Sequence, residues 1–127
     1  IMDAYAKEGA PVLAFVDEVL RGTNTIERIS ASSVILQQMA GLNGFCFAAT
    51  HDLELTEILK NYYENVHFEE SIENNDIVFP YRLQKGKATS RNAIALLAIM
   101  GYDSAITNMA RNQAQRFEIN HKWEVLP

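Results

Sequence analysis

Two acidic residues, Asp17 and Glu18, close the apolar run Pro11-Val12-Leu13-Ala14-Phe15-Val16. A carboxylate at the C-terminal edge of a parallel strand faces the crevice where α/β sheets bind their ligands. There Asp17 can hold Mg²⁺ through water, because Mg²⁺ favours carboxylate and water oxygens. Glu18, one residue on, can orient and deprotonate an attacking water. An apolar strand ending in Asp-Glu is the Walker B pattern of nucleotide-hydrolysing enzymes. It is also what a strand looks like when it simply ends in solvent, so the pair needs corroboration.

A second apolar run, Phe45-Cys46-Phe47-Ala48-Ala49, ends in Thr50-His51-Asp52. Two strands that finish in polar chemistry at one sheet edge are more specific than one. An imidazole N–H at His51 can stabilise charge on transferring phosphate oxygens. Taken alone, His51 reads as a helix-start residue. His67 and His121 have no neighbours at metal-ligand spacing and read as structural. The single cysteine, Cys46, cannot form an internal disulfide, and a reducing compartment is the simpler expectation.

Those side chains need a scaffold, and its pattern is α/β. Pro11 to Val16 and Phe45 to Ala49 suit buried parallel strands. Between them a helix fits Ile26 to about Ala40. Asn24 is its cap, Glu27 stands at the capping-box position, Ile29, Leu36 and Ala40 lie on one face, and Gly41 and Gly44 end it. A second helix spans roughly Asp52 to Tyr62. Val66 to Glu70 and Ile77 to Leu83 predict an antiparallel hairpin around Asn74 to Asp76. Ser90 begins a third helix with Ile94, Leu97, Ala98 and Gly101 on one face. Asp103 caps a fourth that carries Ile106, Met109, Ala110, Ala114 and Phe117. The expected fold is a parallel core with an antiparallel edge hairpin and C-terminal helices.

With 127 residues, 48% hydrophobic and 21% charged, the chain has a globular profile. Eleven Lys and Arg against sixteen Asp and Glu give a net charge of -5, a poor surface for gripping nucleic acid by itself. No apolar run approaches the roughly 18 residues of a membrane span. No signal peptide is visible, and the opening Ile1-Met2 suggests a piece of a longer chain.

The stretch Phe15-Val16-Asp17-Glu18-Val19-Leu20-Arg21-Gly22-Thr23-Asn24-Thr25 resembles the Walker B segment and following loop of the MutS family of DNA mismatch repair ATPases, which reads D-E-x-x-R-G-T-[ST]-T. Ala49-Thr50-His51-Asp52-Leu53-Glu54-Leu55 is similar to the family's A-T-H-x-x-E-L motif. Glu64-Asn65-Val66-His67 resembles its N-V-H strand. Asp76 to Gly86 and Ala88-Thr89-Ser90 resemble its late hairpin and turn, and the helix from Ala93 to Gly101 with Ala110-Arg111 completes the likeness. The sequence departs from the pattern at three places. Asn24 stands where Ser or Thr is usual, Glu27-Arg28 where the family has Asp-Gly, and Arg91-Asn92 where a pair such as Tyr-Gly begins the late helix. The resemblance thus points to a divergent member.

The resemblance implies an ABC-class P-loop ATPase sheet. It assigns the magnesium carboxylate to Asp17, the catalytic glutamate to Glu18 and the phosphate-sensing histidine to His51. Arg21, Gly22, Thr23, Asn24 and Thr25 become the loop that crosses to the opposite ATPase domain of a dimer. It further implies ATP and Mg²⁺ as ligands, a homodimer through this domain, DNA held by other domains, and a cytoplasmic site of action. No G-x-x-x-x-G-K-[ST] loop occurs in the chain, since Gly86-Lys87 lacks the upstream glycine. Residues 1–127 are therefore expected to form the C-terminal half of such a domain, inactive when isolated. The alternatives are a non-catalytic interaction module, with the helices from Ser90 to Phe117 serving dimerisation, and another ABC-class relative.

Overall fold

The computed structural model describes residues 10–41, 43–74, 76–89 and 92–126. The chain divides into two compact units. One comprises residues up to His67 together with Gln84–Ala88, and the other Phe68–Leu83 with the residues from Thr89 onward.

In the first unit, β1 (Val12–Asp17) pairs in parallel with β2 (Gly44–Ala49), and α1 (Thr25–Ala40) forms the crossover between them. The register places Val12 opposite Gly44 and Asp17 opposite Ala49, so both strands end at the same edge. The expected parallel pair is present, with β1 shifted one residue so that Asp17 is its last member. Alternation along β1 sends Ala14, Val12 and Val16 toward the helices. Ala14 meets Leu36 and Met39 of α1 and Leu55 and Leu59 from the segment after β2, with Val19, Ile29, Cys46 and Tyr63 packed around them. The opposite face carries Leu13, Phe15, Phe45 and Phe47, all well exposed, with Phe15 and Phe47 stacked at 5.3 Å.

Asn24 caps α1 as expected, its side chain accepting from the Ile26 and Glu27 amides at 3.0 and 3.4 Å. The buried stripe differs by one position from the expected face. Ser32, Leu36 and Met39 are buried, whereas Ala40 is exposed. Ser32 is tolerated there because its hydroxyl donates to the Val19 carbonyl at 3.3 Å.

α2 (Leu53–Ile58) is shorter than the helix expected to reach Tyr62. It ends at Leu59, and both Tyr62 and Tyr63 donate their amides back to the Leu59 carbonyl, a tightened turn in place of further α-helix. The two tyrosines then act as struts. Tyr63 Oη donates to the Leu36 carbonyl at 2.9 Å, and Gln37 Nε2 donates to Tyr62 Oη at 2.8 Å, which fastens this turn to α1.

The single expected hairpin is divided. β3 (Val66–Phe68) pairs with β6 (Leu83–Lys85), and β4 (Ser71–Glu73) pairs antiparallel with β5 (Asp76–Val78). Pro80, which has no amide hydrogen, and Tyr81 at φ 52° interrupt the long second strand. The turn falls at Asn74 with φ 51°, a conformation asparagine tolerates better than most residues. His67 is structural, its Nδ1 lying 2.9 Å from the Gly86 carbonyl.

In the second unit, α3 (Ala93–Ile99) and α4 (Ser104–Asn120) pack together. The expected start of α3 at Ser90 lies outside the described residues. Asp103 caps α4 through the Ala105 amide at 2.7 Å, as the sequence predicts. The buried position on α4 is Thr107, while Ile106 and Met109 stay about half exposed. His121 ends α4 in a left-handed conformation. Among the described residues no helix is long and apolar enough to cross a membrane.

Candidate functional site

The parallel register delivers the two polar strand ends side by side. Glu18 donates its amide to the Ala49 carbonyl at 3.0 Å, which extends the pairing one residue past β1 and brings Glu18 beside Thr50 and His51. The chain then turns sharply. Glu18 has φ 49°, Leu20 φ 57° and Gly22 φ 85°. A non-glycine residue in this left-handed region costs about 1–2 kcal/mol, and such positions gather at functional turns. Thr23 Oγ1 donates to the Leu20 carbonyl at 3.0 Å and closes the turn.

The Glu18 carboxylate is three-quarters covered and engages both neighbours. Arg21 Nε lies 3.2 Å from one oxygen. His51 Nε2 lies 3.3 Å from the other, an ion pair when the imidazole is protonated. Both partners are open to solvent, so these pairs are weak and screened by salt. Glu18 and His51, predicted from separate motifs, are thus brought together. They line one cleft of about 210 Å³ with Val19, Arg21, Gly22, Arg28, Thr50 and Asp52.

Asp17 sits at the same strand end but on the opposite, open face with Phe15, outside the cleft lining. Its carboxylate is exposed and has no hydrogen bond or ion pair among the described residues. That fits a group able to take a hydrated cation. Among the described residues no cluster of three or more His, Cys, Asp or Glu could enclose a metal alone. Residues 21–25 are all exposed, so the loop presents Arg21, Gly22, Thr23, Asn24 and Thr25 outward.

Sequence motifs alone do not single out the best-defined contact of the cleft. Arg28 donates from Nε to Asp52 Oδ2 at 2.8 Å and from NH2 to Asp52 Oδ1 at 2.7 Å. Its NH1 donates to the Thr23 carbonyl at 3.1 Å. The available signal was the departure from the family pattern at Glu27-Arg28. The hydrogen bonds from Arg28 hold the Asp52 carboxyl below the usual carboxylate range, and Asp52 in turn raises the Arg28 guanidinium above its ordinary value. Glu57 is held low by its hydrogen bond from Lys87.

A carboxylate with a lowered folded-state pKa adds stability above its unfolded pKa. That stability is lost as pH falls through the folded value. The thermal midpoint is therefore expected to decline as the pH drops below about 4, where both carboxylates take up protons. Melting curves followed by circular dichroism between neutral and acidic pH check this. Asp52→Asn should flatten part of the decline, and an unchanged slope in that variant would contradict the assignment. The Arg28 shift has the opposite sign and adds stability that is lost only at strongly alkaline pH.

A family model described as MutS domain V matches residues 3–118, a span that contains both strand ends, the loop and both C-terminal helices up to Glu118. This match covers most of the 127 residues and runs through every motif on which the resemblance rests. The chain therefore belongs to the MutS domain V family.

Proposed function

We propose that this chain is the Walker B half of a MutS-type, ABC-class ATPase domain, which in the complete protein couples ATP hydrolysis to DNA mismatch binding. The observation that carries the reading is the convergence of Glu18 and His51 at one edge of a parallel pair, 3.3 Å apart. In this reading Asp17, which ends the same strand on its open face, would hold a hydrated magnesium ion that would supply charge neutralisation on the phosphates. Glu18 orients and deprotonates the attacking water. His51, exposed at the cleft mouth, donates to the terminal phosphate. The outward loop from Arg21 to Thr25 reaches a second ATPase domain in a homodimer. DNA is gripped by other domains, in keeping with the net charge of -5 here, and the protein works in the cytoplasm.

Two features support the half-domain reading. The chain has no glycine-rich phosphate loop, and most phosphate binding energy in this class comes from that loop's amides and lysine. The face bearing Leu13, Phe15, Phe45 and Phe47 is apolar and open, as expected of a sheet completed by further elements of one domain.

Calorimetry with Mg-ATP tests the proposal on two samples. The 127-residue chain alone is expected to bind no tighter than about millimolar, near the few kcal/mol a loop-less site can supply. The chain joined to its phosphate-loop segment is expected to reach micromolar affinity. Micromolar binding by the chain alone would remove the half-domain assignment. Absence of binding by the joined protein would remove nucleotide as the ligand.

A further inference from the structure

The Arg28–Asp52 bridge is placed where the proposed chemistry needs precision. Arg28 lies in the first turn of α1, its amide bonded to the Asn24 carbonyl at 2.8 Å. Asp52 immediately follows His51. Between them the guanidinium makes a two-pronged contact to the carboxylate, and its third nitrogen reaches back to Thr23. Both side chains are about four-fifths covered, at 21% and 18% exposure, whereas Arg21 beside them is 83% exposed. A bidentate, partly desolvated guanidinium–carboxylate pair fixes orientation as well as distance, which a lysine ammonium cannot do.

We propose that Arg28 is a positioning residue that holds the loop from Arg21 to Thr25 and the turn carrying His51 as one rigid piece. The proposal rests on the ATPase reading above for its consequence in catalysis, but not for the contact itself. The link is not needed to attach α1 to the segment after β2, because Leu36, Met39, Leu55 and Leu59 already do so at the core. It acts instead at the cleft, where Thr23 is otherwise held by its own turn to Leu20 and His51 by a solvent-exposed contact to Glu18.

Arg28→Lys and Asp52→Asn test this in two ways. In amide-resolved NMR of the 127-residue chain without nucleotide, both variants should shift and broaden the Thr23 and His51 signals. Those of Ala14 and Leu55 should stay in place. In the protein that joins this chain to a phosphate loop, Arg28→Lys should lower kcat about tenfold or more, the scale of a sub-ångström to 1 Å misplacement, with KM within about twofold. Unmoved Thr23 and His51 signals would overturn the inference, as would signals that move while kcat does not. Disturbance of Ala14 and Leu55 as well would show a merely structural role and overturn it too. If the wild-type joined protein hydrolyses nothing, the ATPase reading fails, while the NMR result still decides whether Arg28 holds the two segments together.

Discussion

Leu36→Ala is expected to lower the unfolding free energy by about 2–5 kcal/mol, the range for truncating a fully buried leucine. Leu36 is 2% exposed and sits between Ala14 of β1, Met39 of its own helix, and Leu55 and Leu59 across from it. Its backbone carbonyl also accepts the Tyr63 hydroxyl, so the residue joins α1, β1 and the turn after α2 at one point. A small unit is stabilised by only a few kcal/mol in total, so a loss of this size releases most of the folded population. Urea unfolding followed by circular dichroism measures it. Val34→Ala serves as the control, because Val34 is 57% exposed on the same helix and should change stability by no more than about 0.5 kcal/mol. A Leu36→Ala loss below about 1 kcal/mol would mean that α1 is not anchored where the structure puts it. The consequence reaches the cleft, because α1 begins at the loop that carries Arg21 and Thr23.

Periodicity and punctuation made much of this arrangement readable. Continuous apolar runs of strand length, broken by a capped helix, dictate a parallel pair with a crossover, and β1, α1 and β2 form it. Asn24 and Asp103 were recognisable as caps because their side-chain oxygens match the free amides of a first turn. Less readable were features set by contacts distant in sequence. Ser32 occupies a buried position on α1 only because the Val19 carbonyl awaits it, and no helical pattern would select serine there. Pro80 and Tyr81 divide the predicted hairpin through local backbone geometry that alternation does not register. On α4, Ile106 and Met109 match a helical face yet remain half exposed, since periodicity defines a stripe but not what covers it.

The candidate site divides in the same way. Glu18 and His51 could be named from strand-end motifs, and the register brings them into contact range. Asp17 could be named with equal ease, but the strand pleat turns it to the open face, away from the cleft that Glu18 lines. Arg28 and Asp52 are separated by the whole of α1 and β2, so their pairing became visible only once the crossover folded. Arg28 itself belongs to one of the departures from the resembling motif, at Glu27-Arg28.

Glu18→Gln is expected to have the largest effect on activity. The substitution keeps the size and shape of the side chain but turns one acceptor oxygen into an amide donor and removes the base. General-base catalysis contributes about 10²–10⁴-fold, so hydrolysis should fall by that factor. Nucleotide affinity should stay within about threefold, because in the proposed reading phosphate binding resides chiefly in a glycine-rich loop and its lysine rather than in Glu18. The glutamine would also exchange the ion pairs with Arg21 and His51 for neutral contacts, a small change given how exposed both partners are. Single-turnover hydrolysis, measured beside Mg-ATP binding in a protein that joins this chain to a phosphate-loop segment, decides whether Glu18 acts as the base. Bound nucleotide is expected to turn over at least a hundredfold more slowly in Glu18→Gln than in the wild type. Turnover at the wild-type rate in that variant would contradict it and leave the Glu18–His51 edge without a role in hydrolysis.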